Sequence, residues 1–217
     1  VTYGIDRPIV SGTMLGEVAR DRLVRTGGAQ DGDSIVVTKG IAIEGTALLA
    51  RERADDLRKA GVSDDTITLS AELLSNPGIS VLTDARIAST NAQIHSMHDV
   101  TEGGLITGLR EIAAASGLGL AIEEGSVPIL ESTAAVCQAL DLDPLGLLAS
   151  GALLITLPSS DVPSLIFSLE KRGKDCWEIG IMMAPEEGLV YISREGEVEL
   201  PQFSRDELAR YFSRTSA

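Results

Sequence analysis

Two spacings of apolar residues alternate along this chain. Ser34-Ile35-Val36-Val37-Thr38-Lys39 is a compact apolar run behind the turn signal Gln30-Asp31-Gly32-Asp33, which predicts a buried strand. From Glu44 the apolar positions Ala47, Leu48, Ala50, Ala54 and Leu57 take helical spacing, and Gly61 ends that helix. Val62-Ser63-Asp64-Asp65 opens a second helix toward Leu74, which Asn76-Pro77-Gly78 stops; Ile79 to Thr90 reads as a third, leading to a strand over 92–97. Leu105 to Ser116 is again helical, Leu118 to Ile122 a strand, and Glu131 to Leu140 a helix. Asp143-Pro144-Leu145 starts a short helical turn, and the small residues Ala149-Ser150-Gly151-Ala152 feed a buried strand ending at Leu157. An amphipathic helix over 161–172, capped by Ser160 or Asp161, strands over 176–182 and 189–193, the turn Arg194-Glu195-Gly196 and a capped helix over 204–213 complete the pattern. At the amino end, Pro8 to Val18 has strand content and Arg20 to Asp33 reads as a connector. Such alternation, with a hairpin near the end, predicts a layered α/β domain with a mixed sheet.

One stretch carries candidate chemistry: His98-Asp99-Val100-Thr101-Glu102-Gly103-Gly104, between a strand and the helix beginning at Leu105. Thr101 stands where an N-cap is expected. A helix start offers unpaired N–H groups and the positive end of the macrodipole, and paired glycines let a ligand approach without a Cβ in the way. Thr101, Gly103 and Gly104 therefore outline an anion or phosphate site, with His98 and Asp99 as candidate catalytic groups; a capped helix with two permissive glycines is the alternative. Glu44-Gly45 and Ser150-Gly151 mark further corners, open both to ligand contact and to an ordinary turn reading.

His98-Asp99-Val100-Thr101-Glu102-Gly103-Gly104-Leu105 resembles the motif that opens the C-terminal domain helix in the aminoimidazole-ribonucleotide-synthetase superfamily, whose members use ATP to activate an oxygen atom. Gly40 to Thr46, Asp143-Pro144-Leu145 and Ser150-Gly151 resemble its HypE-like branch of hydrogenase maturation proteins. The resemblance implies a three-layer α/β/α C-terminal domain over 34–217, with 1–33 a terminal strand and connector from a missing N-terminal ATP-binding domain. It also implies ATP and Mg2+ as cofactors expected only with that missing domain, no metal or cofactor in this chain alone, and a homodimer in the full-length protein. Two positions depart from the branch. Glu102 stands where an arginine is usual, and Arg214-Thr215-Ser216-Ala217 lacks the carbamoyl-accepting cysteine, so carbamoyl transfer to a terminal thiol is not expected.

Composition narrows the partners. The 217 residues carry 32 acidic and 18 basic side chains, a formal charge of -14, which argues against nucleic acid and anionic membranes as partners. Cys137 and Cys176 have neither zinc nor redox spacing, and His95 and His98, three apart on a strand, face opposite ways, so no metal site is expected. No apolar stretch approaches the length of a membrane span and the first residues lack a leader pattern, so a cytoplasmic location is expected. Two functions stand at this level. One is the C-terminal half of an ATP-dependent synthetase, ligase or dehydratase-like maturation enzyme that closes over a phosphorylated or acyl-phosphate intermediate, the isolated chain being inactive. The other is a non-catalytic interaction module for a metalloenzyme-maturation or other partner protein. Pro8 to Val18 is expected to mediate self-association.

Overall fold

Asp33–Thr38 (β1) is buried along its whole length, as a continuous apolar run covered on both faces must be. It is the third strand of a seven-stranded sheet, paired on both sides, in the computed structural model, which describes residues 9–215. The other strands are Ser96–Asp99 (β2), Gly119–Glu123 (β3), Leu153–Pro158 (β4), Cys176–Met183 (β5), Leu189–Ser193 (β6) and Gly196–Glu199 (β7). Their order is β2-β4-β1-β5-β3-β6-β7. Neighbours are antiparallel except β3 and β6, which makes the sheet mixed.

Helices cover both faces. Ile43–Glu52 (α1), Gly104–Ser116 (α5) and Glu131–Leu140 (α6) bury Leu49, Leu105, Leu109, Ile112 and Val136 against Ile35, Val37, Ile122 and Leu154. On the other face Leu82–Asn91 (α4) and Val162–Glu170 (α7) place Ala88, Leu165 and Leu169 against Val36, Ile155 and Leu157. Each fully buried Leu or Ile contributes about 1.5–3 kcal/mol, so the central strands fix the α/β/α layering that the pattern predicts. Ala54–Lys59, Asp64–Glu72 and Glu207–Thr215 are numbered α2, α3 and α8.

Several expectations change in detail. Pro8 lies outside the described residues, and Ile9 to Val18 forms no strand. A strand needs a partner for its N–H and C=O groups, and here none is formed, leaving Met14 94% and Leu15 91% exposed. Strand β2 begins later than expected and includes His98 and Asp99, because its register with β4 runs from Ser96↔Thr156 to Asp99↔Leu153. The helix expected to run to Gly61 breaks at Arg53 (φ -132), whose guanidinium lies 4.7 Å over the Phe212 ring of α8. No side chain caps α7; Asp161 instead accepts the Gln93 N–H at 2.9 Å.

The expected connector has a function in the fold. Thr26–Gly28 forms a 3-10 turn along the outer edge of β2: Ser96 Oγ donates to the Thr26 carbonyl at 2.7 Å, and a Cβ on Gly28 would stand 2.1 Å from the His95 carbonyl oxygen. A covered edge cannot pair with another chain.

Candidate functional site

Strands β1 and β2 both run antiparallel to β4, so their carboxyl ends and the start of β4 meet at one end of the sheet. Both α1 and α5 begin there, directing two positive helix ends to the same edge. The segment between α6 and β4 joins them. Asp143 accepts the Leu145 N–H at 2.9 Å to start a turn over Pro144–Gly146; the Leu148 carbonyl then accepts the Gly45 N–H at 2.9 Å, and the Ala149 N–H donates to the Thr101 carbonyl at 3.1 Å. Burial, with the nearby Glu207 charge adding to it, raises the Asp143 carboxyl above its usual range, against the Leu145 hydrogen bond.

The Thr101 to Gly104 corner differs from a Thr-capped helix. Gly103 is the N-cap, in the left-handed region at φ 83, and no side chain caps the helix. Thr101 is exposed and contributes its carbonyl, which also accepts the Gly104 N–H at 3.2 Å. Consecutive left-handed residues at Gly103 and Gly104 reverse the chain before it can reach a Thr101 cap geometry. The space beside Gly104 is filled by protein: a Cβ there would stand 2.5 Å from the Leu145 carbonyl oxygen. The Gly103 N–H donates at 2.6 Å to Oδ2 of Asp206, which is 5% exposed.

Successive strand positions separate the two candidate catalytic groups. His98 pairs in register with Leu154 and shares its face, where its Nε2 lies 2.7 Å from Glu111 Oε2 of α5. Asp99 pairs with Leu153, on the face covered by α4 and α7, and is exposed at the strand end. His95 turns to Asp33, its Nδ1 2.9 Å from Oδ1. Among the described residues no group of three or more His, Cys, Asp and Glu side chains that could hold a metal ion is found.

At the second corner Glu44 is half-buried in the first turn of α1 and Gly45 is tied to Leu148. Ser150 is half-buried, while Gly151 is buried against Gly78 and Ile79. Lys39 anchors this region: its Nζ donates to the carbonyls of Gly78 (3.2 Å) and Ser80 (2.8 Å) and stands 2.9 Å from buried Asp84 Oδ2. Burial lowers the Lys39 ammonium below its ordinary range, against the pull of Asp84. Thus the structure gathers Thr101, Gly103 and Gly104 with Gly45 through one strap, and sets His98 and Asp99 on opposite faces. Asp206 and Glu111 are absent from the sequence reading: an acidic residue at a helix start signals a cap, and nothing in its spacing points to Gly103.

The fold and this corner define a layered α/β domain with paired helix starts at one sheet end. The family described as AIR synthase related protein, C-terminal domain, matches residues 30–192. The chain belongs to that family, as a HypE-like C-terminal domain. It is 27% identical over 192 residues to a putative hydrogenase expression/formation protein of Methanocaldococcus jannaschii, covering 88% of this chain and 54% of that protein. It is 28% identical over 180 residues to the carbamoyl dehydratase HypE of Cupriavidus necator, covering 81% and 47%. The hydrogenase maturation protein HypE solved in complex with ATP superposes with a TM-score of 0.65 at 24% identity, over 89% of this chain and 57% of that one, a likeness of fold. The chain spans about half the length of the curated relatives it matches. Among the described residues no helix is long and apolar enough to cross a membrane.

Proposed function

We propose that this chain is the C-terminal half of an ATP-dependent maturation or synthetase-family enzyme and closes over a phosphorylated or acyl-phosphate intermediate held by an N-terminal ATP-binding domain. The observation that carries this reading is the convergence of the α1 and α5 amino ends on one sheet end, fastened through Leu148 and Ala149. Two helix dipoles directed at one edge favour an anion there. In this reading the Thr101–Gly104 corner receives the anionic group, His98 moves a proton with Glu111 behind it, and Asp99 faces the nucleotide domain from the strand end. ATP supplies phosphoryl transfer when bound, and the other domain provides the carboxylates for Mg2+. A homodimer of the full-length protein and a maturation partner complete the proposal; the hydrogenase expression/formation relatives support the partner.

The test joins this chain to the N-terminal half of the M. jannaschii relative and follows ATP hydrolysis beside thermal melting. Hydrolysis by the joined protein is expected to fall at least about tenfold in His98→Ala and in Asp99→Asn, each melting within about 2 °C of the parent. Activity losses that merely follow losses of folded protein would remove both residues from the mechanism. Failure of the joined, folded protein to hydrolyse ATP would favour the interaction module.

A further inference from the structure

The core that α4 and α7 close over β4 and β1 includes no residue of β3, β6 or β7. Strand register identifies what lies on that side of the sheet beyond β1. Val36 belongs to the α4 and α7 core and pairs with Glu178; the register then shifts at Ile35/Val36, so that Ile179 and Met182 enter the main core and Ile181 is left on the outer side, 41% exposed. The pairs Ala121↔Ile181, Ala121↔Val190 and Glu123↔Ile192 carry the same side across β3 and β6. Ala121, Ile181, Val190 and Ile192 belong to none of the core clusters.

The charge on this side has one sign. Strands β3, β5, β6 and β7 contain no lysine or arginine, and their four glutamates, Glu123, Glu178, Glu197 and Glu199, all fall on it. Glu199 reaches Arg110 at 3.7 Å, while the other three carboxylates form no ion pair among the described residues. A 380 Å³ cleft is lined by Glu123, Glu178, Ala121, Ile181 and Ile192. An apolar strip edged by unpaired carboxylates suits a partner that brings apolar side chains and cations together. The five-residue strands β3 and β6 run about 17 Å, which a helix of about 11 residues matches. Helices already cover the rest of this side.

We propose that the outer side of β5, β3 and β6 is a docking surface for an amphipathic helix of a partner protein, with its apolar stripe on Ile181 and Ile192 and its lysines or arginines against Glu123 and Glu178. The docked helix extends the layer begun by α4 and α7. The surface lies on the side of the sheet opposite α5 and stands whether or not the corner binds an anion.

The test titrates the 15N-labelled chain with a synthetic helix of about 18 residues, leucines along one stripe and lysines on both flanks; a twin carries glutamates for the lysines. The lysine peptide is expected to shift the Ala121, Ile181 and Ile192 amides, and the twin to bind at least about tenfold more weakly. Glu123→Lys with Glu178→Lys is expected to weaken the lysine peptide at least about tenfold, and Ile181→Gln at least about threefold. Glu52→Lys with Asp65→Lys makes the same change in net charge on exposed positions of α1 and α3, and is expected to leave the affinity within about twofold. Equal weakening by the two charge pairs would mean that net charge alone attracts the peptide, and would overturn the proposal. Shifts confined to other surfaces, or none at saturating peptide, overturn it as well. If the Glu123 and Glu178 double variant loses its dispersed spectrum, the twin peptide and Ile181→Gln decide, and undiminished binding in either overturns it. Shifts of the same amides that grow with protein concentration in the absence of peptide, beside a dimer in light scattering, would assign the face to a second copy instead.

Discussion

Thr101 and Gly104 lie three positions apart, and their environments give opposite mutational expectations. A threonine before a helix invites the cap assignment, under which its loss costs about 1 kcal/mol. The Gly103 N-cap and the exposed Thr101 side chain remove that cost, so Thr101→Ala is expected to change stability by less than about 0.5 kcal/mol in urea unfolding. Gly104→Ala must hold a Cβ at φ 67 and 2.5 Å from the Leu145 carbonyl oxygen. The same measurement is expected to show a loss of about 2–4 kcal/mol; a neutral result would mean that the Leu145–Leu147 strap is not seated on the corner. The corner was legible from residue types alone, since a glycine pair behind a strand signals a special backbone. What fills the space beside the glycines was not, because the Leu145 carbonyl and the Asp206 carboxylate arrive from 41 and 103 residues away. The separation of His98 from Asp99 follows from strand alternation, but it depends on β2 extending through both, and that boundary is set by the β4 ladder.

Edges account for the differences among the elements. Most buried strands and amphipathic helices follow from apolar spacing, because the solvent boundary that sets the spacing also sets the burial. Ile9 to Val18 has the composition of a strand, yet composition supplies no partner for its backbone groups. Thr26–Gly28 is the converse, a polar, glycine-containing segment without periodicity that closes an edge. A Cβ on Gly28 would overlap the His95 carbonyl at 2.1 Å, so the turn must lift away from β2 to admit one. Gly28→Ala is expected to lose about 1–3 kcal/mol and to release the Ser96–Thr26 hydrogen bond. Hydrogen exchange would show this as faster exchange confined first to residues 26–28 and 95–99. Uniform acceleration across the sheet would instead mean that the turn is not a separate cover. The uncovered edge is also expected to raise aggregation on heating, which light scattering would follow.

The buried titratable groups make the whole molecule sensitive to alkali. Burial pushes the Cys137 and Cys176 thiols from 9.0 to about 12 and the Tyr191 phenol from 10.0 to about 12. These groups are neutral in both folded and unfolded chains below pH 9, where they add no pH dependence. Above pH 9 the unfolded chain releases the thiol protons, and above pH 10 the phenol proton, while the folded chain holds all three until about pH 12. The native state then binds more protons than the unfolded state, so stability falls with rising pH. The slope is up to about 1.4 kcal/mol per pH unit for each such group. Lys39 acts in the opposite direction: its lowered value lets the folded chain lose a proton first, so stability rises with pH in the window just below 10.5. The Tyr211 phenol, also raised by burial, adds to the loss, so four raised groups against Lys39 leave a net loss. Urea midpoints are expected to fall progressively from pH 9 to pH 11. Cys137→Ala is expected to flatten that slope, and Lys39→Met to steepen it while lowering stability at every pH, because it leaves the buried Asp84 carboxylate without its cation. Midpoints that stayed level from pH 9 to pH 11 in both the wild type and Lys39→Met, where no lysine offsets the loss, would show that the two thiols titrate in the folded chain as they do in the unfolded one, and that the core around α6 and β5 admits water.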